Sequence, residues 1–173
     1  GHGMGSGAAR FWKTRPGATV AQTLTGLGES KANMTNARRA VPDRRGEIIG
    51  AMKAVFGDDE RRIEHTLQVL GYAESILERE PGDAAIVVAA AILHDIGIHE
   101  AMAKHGSPAA NYQEIEGPPI ARDILERLGF DAAAVDHVCR IVANHHSARD
   151  IDTPEFRIVW DADWLVNLPR DLP

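Results

Sequence analysis

The sequence predicts an all-α fold: one compact helical domain of about six helices, preceded by an irregular N-terminal arm. Three observations carry this reading. Ala is abundant and aromatics make up only 5% of the chain, a mixture that favours helices because Ala loses no side-chain entropy when a helix forms. Beyond Arg45, apolar residues recur at helical spacing almost to the end. No alternating pattern lasts more than a few residues, and there is no internal repeat.

A chain of 173 residues suffices for one domain with a real hydrophobic core, and two independent domains are not expected. Hydrophobic residues at 44% and charged residues at 25% fit an ordinary globular protein. The formal charge of −6 speaks against non-specific binding to nucleic acid. The single cysteine, Cys139, allows no internal disulfide and fits a reducing, cytoplasmic setting. The longest apolar run, Ala84 to Leu93, is about half the roughly 20 residues of a spanning helix, so no membrane segment is expected. No secretory signal is visible. Gly1-His2-Gly3 before Met4 looks like the remnant of a purification tag, which removes His2 from the chemistry.

Residues 1–45 are rich in Gly, Thr, Ser, Asn and Arg with little periodicity. They read as an arm: a short helix, a surface strand, a segment docked on a partner subunit, or a loosely packed extension. The helical domain is placed at 46–173. Ile48, Ile49, Met52, Val55 and Phe56 predict a first helix that Gly57 stops. Asp58 or Asp59 caps a second, from about Glu60 to Glu80, ended by Pro81-Gly82. Asp83 caps a third that is apolar on every side, from Ala84 to Leu93, and therefore buried all round. Gly97 and Gly106-Ser107-Pro108 read as a long loop, and Glu116-Gly117-Pro118-Pro119 as a rigid turn. A helix resumes near Ile120 and stops at Gly129. Asp131 opens another, with Val135, Val138, Cys139 and Val142 in register, reaching His145-His146. Thr153-Pro154 is a cap followed by a proline at the first helical position. The last helix carries Phe156, Val159, Trp160 and Asp163 on one stripe, and Trp160 and Trp164 read as core.

The polar residues are the anomaly. His94 and Asp95 end the most buried helix, where an ionised carboxylate costs several kcal/mol unless a charge or metal compensates. His65 shares a face with Val69, Tyr72 and Ile76 and points inward. Asp163 lies on an apolar stripe, whereas Asp161 is turned away by about 200°. Two imidazoles and two carboxylates on three helices thus aim at the interior, and one divalent cation would satisfy all four. Mixed N and O donors suit Mn, Fe, Co, Ni or Zn.

His65 in "IEHTLQVLGYAESI", His94-Asp95 in "AAILHDIGIHEA" and Asp163 in "WDADWLVNL" resemble the H…HD…D signature of the HD superfamily of metal-dependent hydrolases, largely phosphohydrolases. The resemblance covers roughly residues 46–170. It implies an HD-type helical domain with the metal held by His65, His94, Asp95 and Asp163, and Asp161 as the fallback for the last ligand. His145 and His146 resemble the paired histidines of two-metal branches. Gln113, before Gly117, stands where those branches carry a further histidine, so one metal is the expectation. Single-metal phosphatases of the family often carry a glutamate where this chain has Ile98; His99 and Glu100 follow it and are the substitutes to consider.

The implied function is a hydrolase in which a metal lowers the pKa of water from about 15.7 to roughly 7. Asp95 would hold the metal and relay a proton, and His145 or His146 would protonate the leaving group. Arg62, with Arg61, lies one turn before His65 and can pair with phosphate oxygens. Lys104, Arg149 and Glu116 are weaker pocket candidates. His105 reads as an exposed loop residue and His137 as surface. The default substrate is a small phosphate ester, such as a nucleotide. Two alternatives stand beside this: another metal reaction on the same scaffold (cyanamide-type hydration or di-iron oxidation), and a non-catalytic HD module that binds ligands. A homodimer is compatible with the arm.

Overall fold

The computed structural model describes residues 44–168, so the expectations placed on the arm and on His2 lie outside the described residues. Seven helices follow one another and, among the described residues, no strand occurs: α1 (Arg44–Phe56), α2 (Glu60–Leu77), α3 (Ala84–Leu93), α4 (Ile98–His105), α5 (Ala110–Arg127), α6 (Ala132–Val142) and α7 (Pro154–Asn167). The all-α expectation holds. The seventh helix arises because the expected loop around 98–119 is helical.

Most helix boundaries follow from local chemistry. Ile48, Met52 and Phe56 recur every four residues and give α1 its buried edge. Gly57 ends it at φ 57°, a left-handed conformation that glycine adopts without Cβ strain. Asp59 caps α2 by accepting from the Arg62 amide at 3.1 Å. The helix stops at Leu77, three residues short of the expected Glu80. Asp83 accepts from the amides of Ala85 and Ile86, Asp131 from Ala134, and Thr153 from Phe156, so α3, α6 and α7 begin on side-chain caps.

α3 is the hub, packing against α1, α2, α6 and α7, while α2 lies along α7 and α5 along α6. Val87 and every residue from Ala89 to Ile98 are buried. Taken with the turn and α4, Ala84–His105 is 22 residues long with a window of mean hydropathy 1.5, long and apolar enough to cross a membrane by length and composition. The ten-residue run that carried the expectation is thus part of a longer apolar segment. In the structure 67% of that window is buried inside the domain.

α4 and α5 depart most from the sequence reading. α4 buries Ile98 and Ala101 and ends at Gly106, φ 66°. α5 runs straight through Gly117-Pro118-Pro119, which is not a turn. A proline inside a helix removes an amide and crowds the preceding turn, a cost of about 3 kcal/mol. The offsetting feature is a backbone crossing. A Cβ on Gly97 would lie 2.4 Å from the Gly117 amide nitrogen, and one on Gly117 would lie 2.7 Å from Val142 Cγ1. Two glycines let α5 lie directly on the turn after α3, and Ala121, Ile124 and Leu125 bury the rest of its face.

Two further expectations are corrected. Tyr72, read as inward with His65, is exposed, while Val69 is buried and Ile76 partly so. Trp164, read as core, is 57% exposed; Trp160 packs partly buried against the core.

Candidate metal centre

Four chain segments bring the predicted residues together. His65 comes from the second turn of α2, His94 and Asp95 from the turn after α3, His145 and His146 from the turn after α6, and Asp163 from α7. α6 ends at Val142, short of the histidines it was expected to carry. His65 Nε2 lies 3.1 Å from Asp163 Oδ1 and 3.6 Å from Asp95 Oδ2. His94 Nε2 lies 3.6 Å from Asp95 Oδ2 and 3.7 Å from Asp163 Oδ1. His145 Nε2 lies 3.4 Å from Asp95 Oδ1.

Two imidazoles are held in one tautomer by the backbone three residues upstream. His94 Nδ1 donates to the Ala91 carbonyl at 2.8 Å, and His145 Nδ1 donates to the Val142 carbonyl at 2.7 Å. In the neutral ring each Nε2 is then a lone-pair acceptor. Both are buried and neither has a hydrogen-bond partner. An unsatisfied buried polar atom is costly, and a ring whose Nδ1–H is anchored on a carbonyl is the arrangement by which histidine binds metals.

The donor atoms fall into two groups, His65–His94–Asp163 and Asp95–His145–His146, each with its ligand atoms within 4.8 Å of one another. The site therefore fits a divalent cation: neutral imidazole nitrogens and carboxylate oxygens, converging, with orphaned lone pairs. Burial alone would raise the Asp95 carboxyl, but His94, His145 and His65 around it win and hold it far below the usual carboxylate range. Asp163 shows the same balance, with burial overcome by the His65 contact and the charge of His94. For His145 burial opposes the charged form, yet the Asp95 carboxylate outweighs it and raises the imidazole. His146 is lowered by partial desolvation and by His145 beside it.

A cleft of about 210 Å³ opens onto this centre, lined by Arg61, Arg62, His65, Asp95, Gln113 and Asp163 among others. Arg62 Nη1 is 3.7 Å from Asp95 Oδ2. Ile98 also lines this cleft. His99 does not replace the glutamate missing there: it bonds Asp59 Oδ2 at 2.9 Å and meets the Phe56 ring edge-on. Glu100 pairs with Lys104. Glu116 turns away from the centre to accept from Lys104 at 2.7 Å and to meet His105 Nε2 at 2.9 Å, and His105 stacks on Tyr112. Arg149 reaches Glu114, 3.6 Å away. His137, read as surface, is partly buried and bonds Thr153 Oγ1, the cap of α7. Asp161 is exposed and lines a separate groove with Arg157 and Leu165.

Two supporting residues were missed. Buried Glu114 accepts from the amides of His146 at 3.1 Å and Ser147 at 2.8 Å, clamping the turn that carries both histidines. Reading residues 110–127 as a helix would have put this carboxylate on its inner face. Asn167 donates to Asp163 Oδ1 at 2.9 Å and orients that carboxylate; its place one helical turn after Asp163 was a usable signal. Gln113 donates to the Pro108 carbonyl at 2.6 Å, and its Oε1 is buried without a partner.

Fold and centre together define a helical domain whose converging His and Asp side chains, from separate chain segments, could hold a metal. The HD domain family model matches residues 62–168, and the chain belongs to that family. A crystal structure of a predicted HD superfamily hydrolase from an uncultured Thermotogales bacterium is similar, with 29% identity and a TM-score of 0.58 over 69% of this chain and 66%, just under two thirds, of the other. No curated protein matches the chain.

Proposed function

We propose that this protein is a metal-dependent phosphohydrolase acting on a small phosphate monoester. The observation that carries the reading is the coincidence of two features. Buried, tautomer-fixed imidazoles with open Nε2 atoms stand beside two carboxylates, and the cleft above them is walled by two guanidinium groups. His65, His94, Asp95 and Asp163 would hold one divalent transition metal of the Mn, Fe, Co, Ni or Zn type. Such an ion supplies Lewis acidity and makes water a nucleophile near neutral pH.

The chain's own groups do the rest. Arg61 and Arg62 match phosphoryl oxygens in shape and charge, and Arg62 can leave its 3.7 Å contact with Asp95 to do so. Asp95, held ionised, keeps a negative charge beside His65, His94 and His145. His146 lines the cleft and His145 lies behind it, so the imidazole pair stands where a leaving oxygen would be protonated. A cleft this small suits one phosphoryl group of a small molecule better than a polymer.

The second donor group, Asp95–His145–His146, favours one other reading: two metals and a non-phosphatase reaction on the same scaffold. Metal content per chain separates the two. Protein purified without chelator is assayed by elemental analysis, with a screen of phosphate esters under Mn, Co and Ni. About one equivalent and ester hydrolysis are expected. Two equivalents of iron without hydrolysis would move the assignment to oxidation. No metal after reconstitution would leave a non-catalytic binding module.

A further inference from the structure

Trp160, Asp163, Trp164 and Asn167 share one stripe of α7, so Asp163 enters the metal centre flanked by two indoles. Beside the arginine-walled cleft lies a second of about 160 Å³, lined by His145, His146, Trp160, Asp163, Trp164 and Asn167. His146, Asp163 and Asn167 belong to both clefts. A ligand with its charged end by Arg61 and Arg62 therefore reaches the second cleft without leaving the surface of the centre.

The two walls differ in chemistry. The first carries fixed positive charge. The second carries two indoles: Trp160 packs against Phe156, with ring centres 5.5 Å apart, and Trp164 stands 6.5 Å from Trp160, tilted by 42°. Trp160 is held by the core, whereas Trp164 leaves more than half its surface to solvent. Indoles at a wall bind flat, unsaturated rings by stacking.

We propose that this second cleft is the subsite for a planar aromatic ring on the substrate, and that Trp164 selects ring-bearing phosphate esters over aliphatic ones. The proposal rests on the phosphohydrolase reading and adds to it the substrate's other end.

The test uses Mn-loaded parent, Trp164→Ala and Trp164→Phe. Calorimetric titration with phenylphosphonate and with methylphosphonate reads the subsite without hydrolysis. The parent should bind the phenyl compound about tenfold tighter, the Ala variant should lose that preference, and the Phe variant should keep most of it. In parallel, the kcat/KM ratio of phenyl phosphate, or of adenosine 5′-monophosphate, to glycerol phosphate should fall about tenfold in Trp164→Ala. Dependence for the nucleotide alone would place the ring one sugar away from the phosphoryl group. Equal preference in parent and Ala variant, or no binding of either phosphonate, overturns the subsite. A ring preference lost in Trp164→Ala, in a protein that hydrolyses none of the esters, would keep the subsite and remove the phosphohydrolase reading.

Discussion

Glu114 and Glu116 on α5, and His94 and His145 in the turns after α3 and α6, are all buried polar residues, yet their surroundings are opposite. The two glutamates are closed by the protein: Glu114 takes two backbone amides, and Glu116 takes Lys104 and His105. The two histidines are anchored on one side only, each with an open Nε2. A polar group that the fold satisfies serves the fold, and one held in place but left open is free to serve a ligand. Gln113 stands between the cases, its amide donating to Pro108 while its Oε1 has no partner beside the cleft.

The strongest way to break this contrast is to remove an open group. Asp163→Ala and His94→Ala should take the metal from about one equivalent to none and abolish ester hydrolysis, with helical circular dichroism retained. A His94→Ala protein as active as the parent would refute the metal-enzyme reading. Next comes the crossing that joins the two regions. Gly97→Ala sets a Cβ 2.4 Å from backbone nitrogen, which cannot swing away as a side chain does, so denaturant unfolding should show a loss of about 1–3 kcal/mol. Because Gly97 follows Asp95 by two residues, metal affinity should fall with it.

Removing a closed group should behave differently. Glu114→Ala strands two amides and should cost about 1–3 kcal/mol of folding stability, with a secondary loss of metal affinity through the loosened histidine turn. Glu114→Gln keeps an acceptor oxygen and should cost less; equal losses in the two variants would mean that the charge, not the clamp, matters. The smallest effect is expected at Asn167, which only orients a ligand: Asn167→Ala should weaken metal binding by about tenfold, measured by competition with a chelator, and leave unfolding in the metal-free protein nearly unchanged.

How much could be read in advance varied with the kind of signal. His65 and Asp163 stood out as polar residues on apolar helical stripes and His94-Asp95 as a polar pair closing an apolar helix, and the H…HD…D resemblance joined the four. The caps at Asp59, Asp83, Asp131 and Thr153 were legible because a cap acts within three residues. α4 and the first half of α5 were not. Pro118-Pro119 carries a strong local preference against helix interior, and what overrides it is a contact between residues 97 and 117 that no local pattern shows. The exposure of Trp164 was missed for a related reason: periodicity marks a face, but not whether another element covers it.

The sequence by itself determined the helical class and most of the helix boundaries and named the candidate donors, because these depend on residue chemistry and on spacing within a few turns. Only the tertiary structure decided which atoms converge and which remain open. It drew Glu116 away to Lys104, set Glu114 under the histidine turn, and left Trp164 exposed beside the centre. Those outcomes depend on how helices cross, and a crossing is set by side chains far apart in the chain.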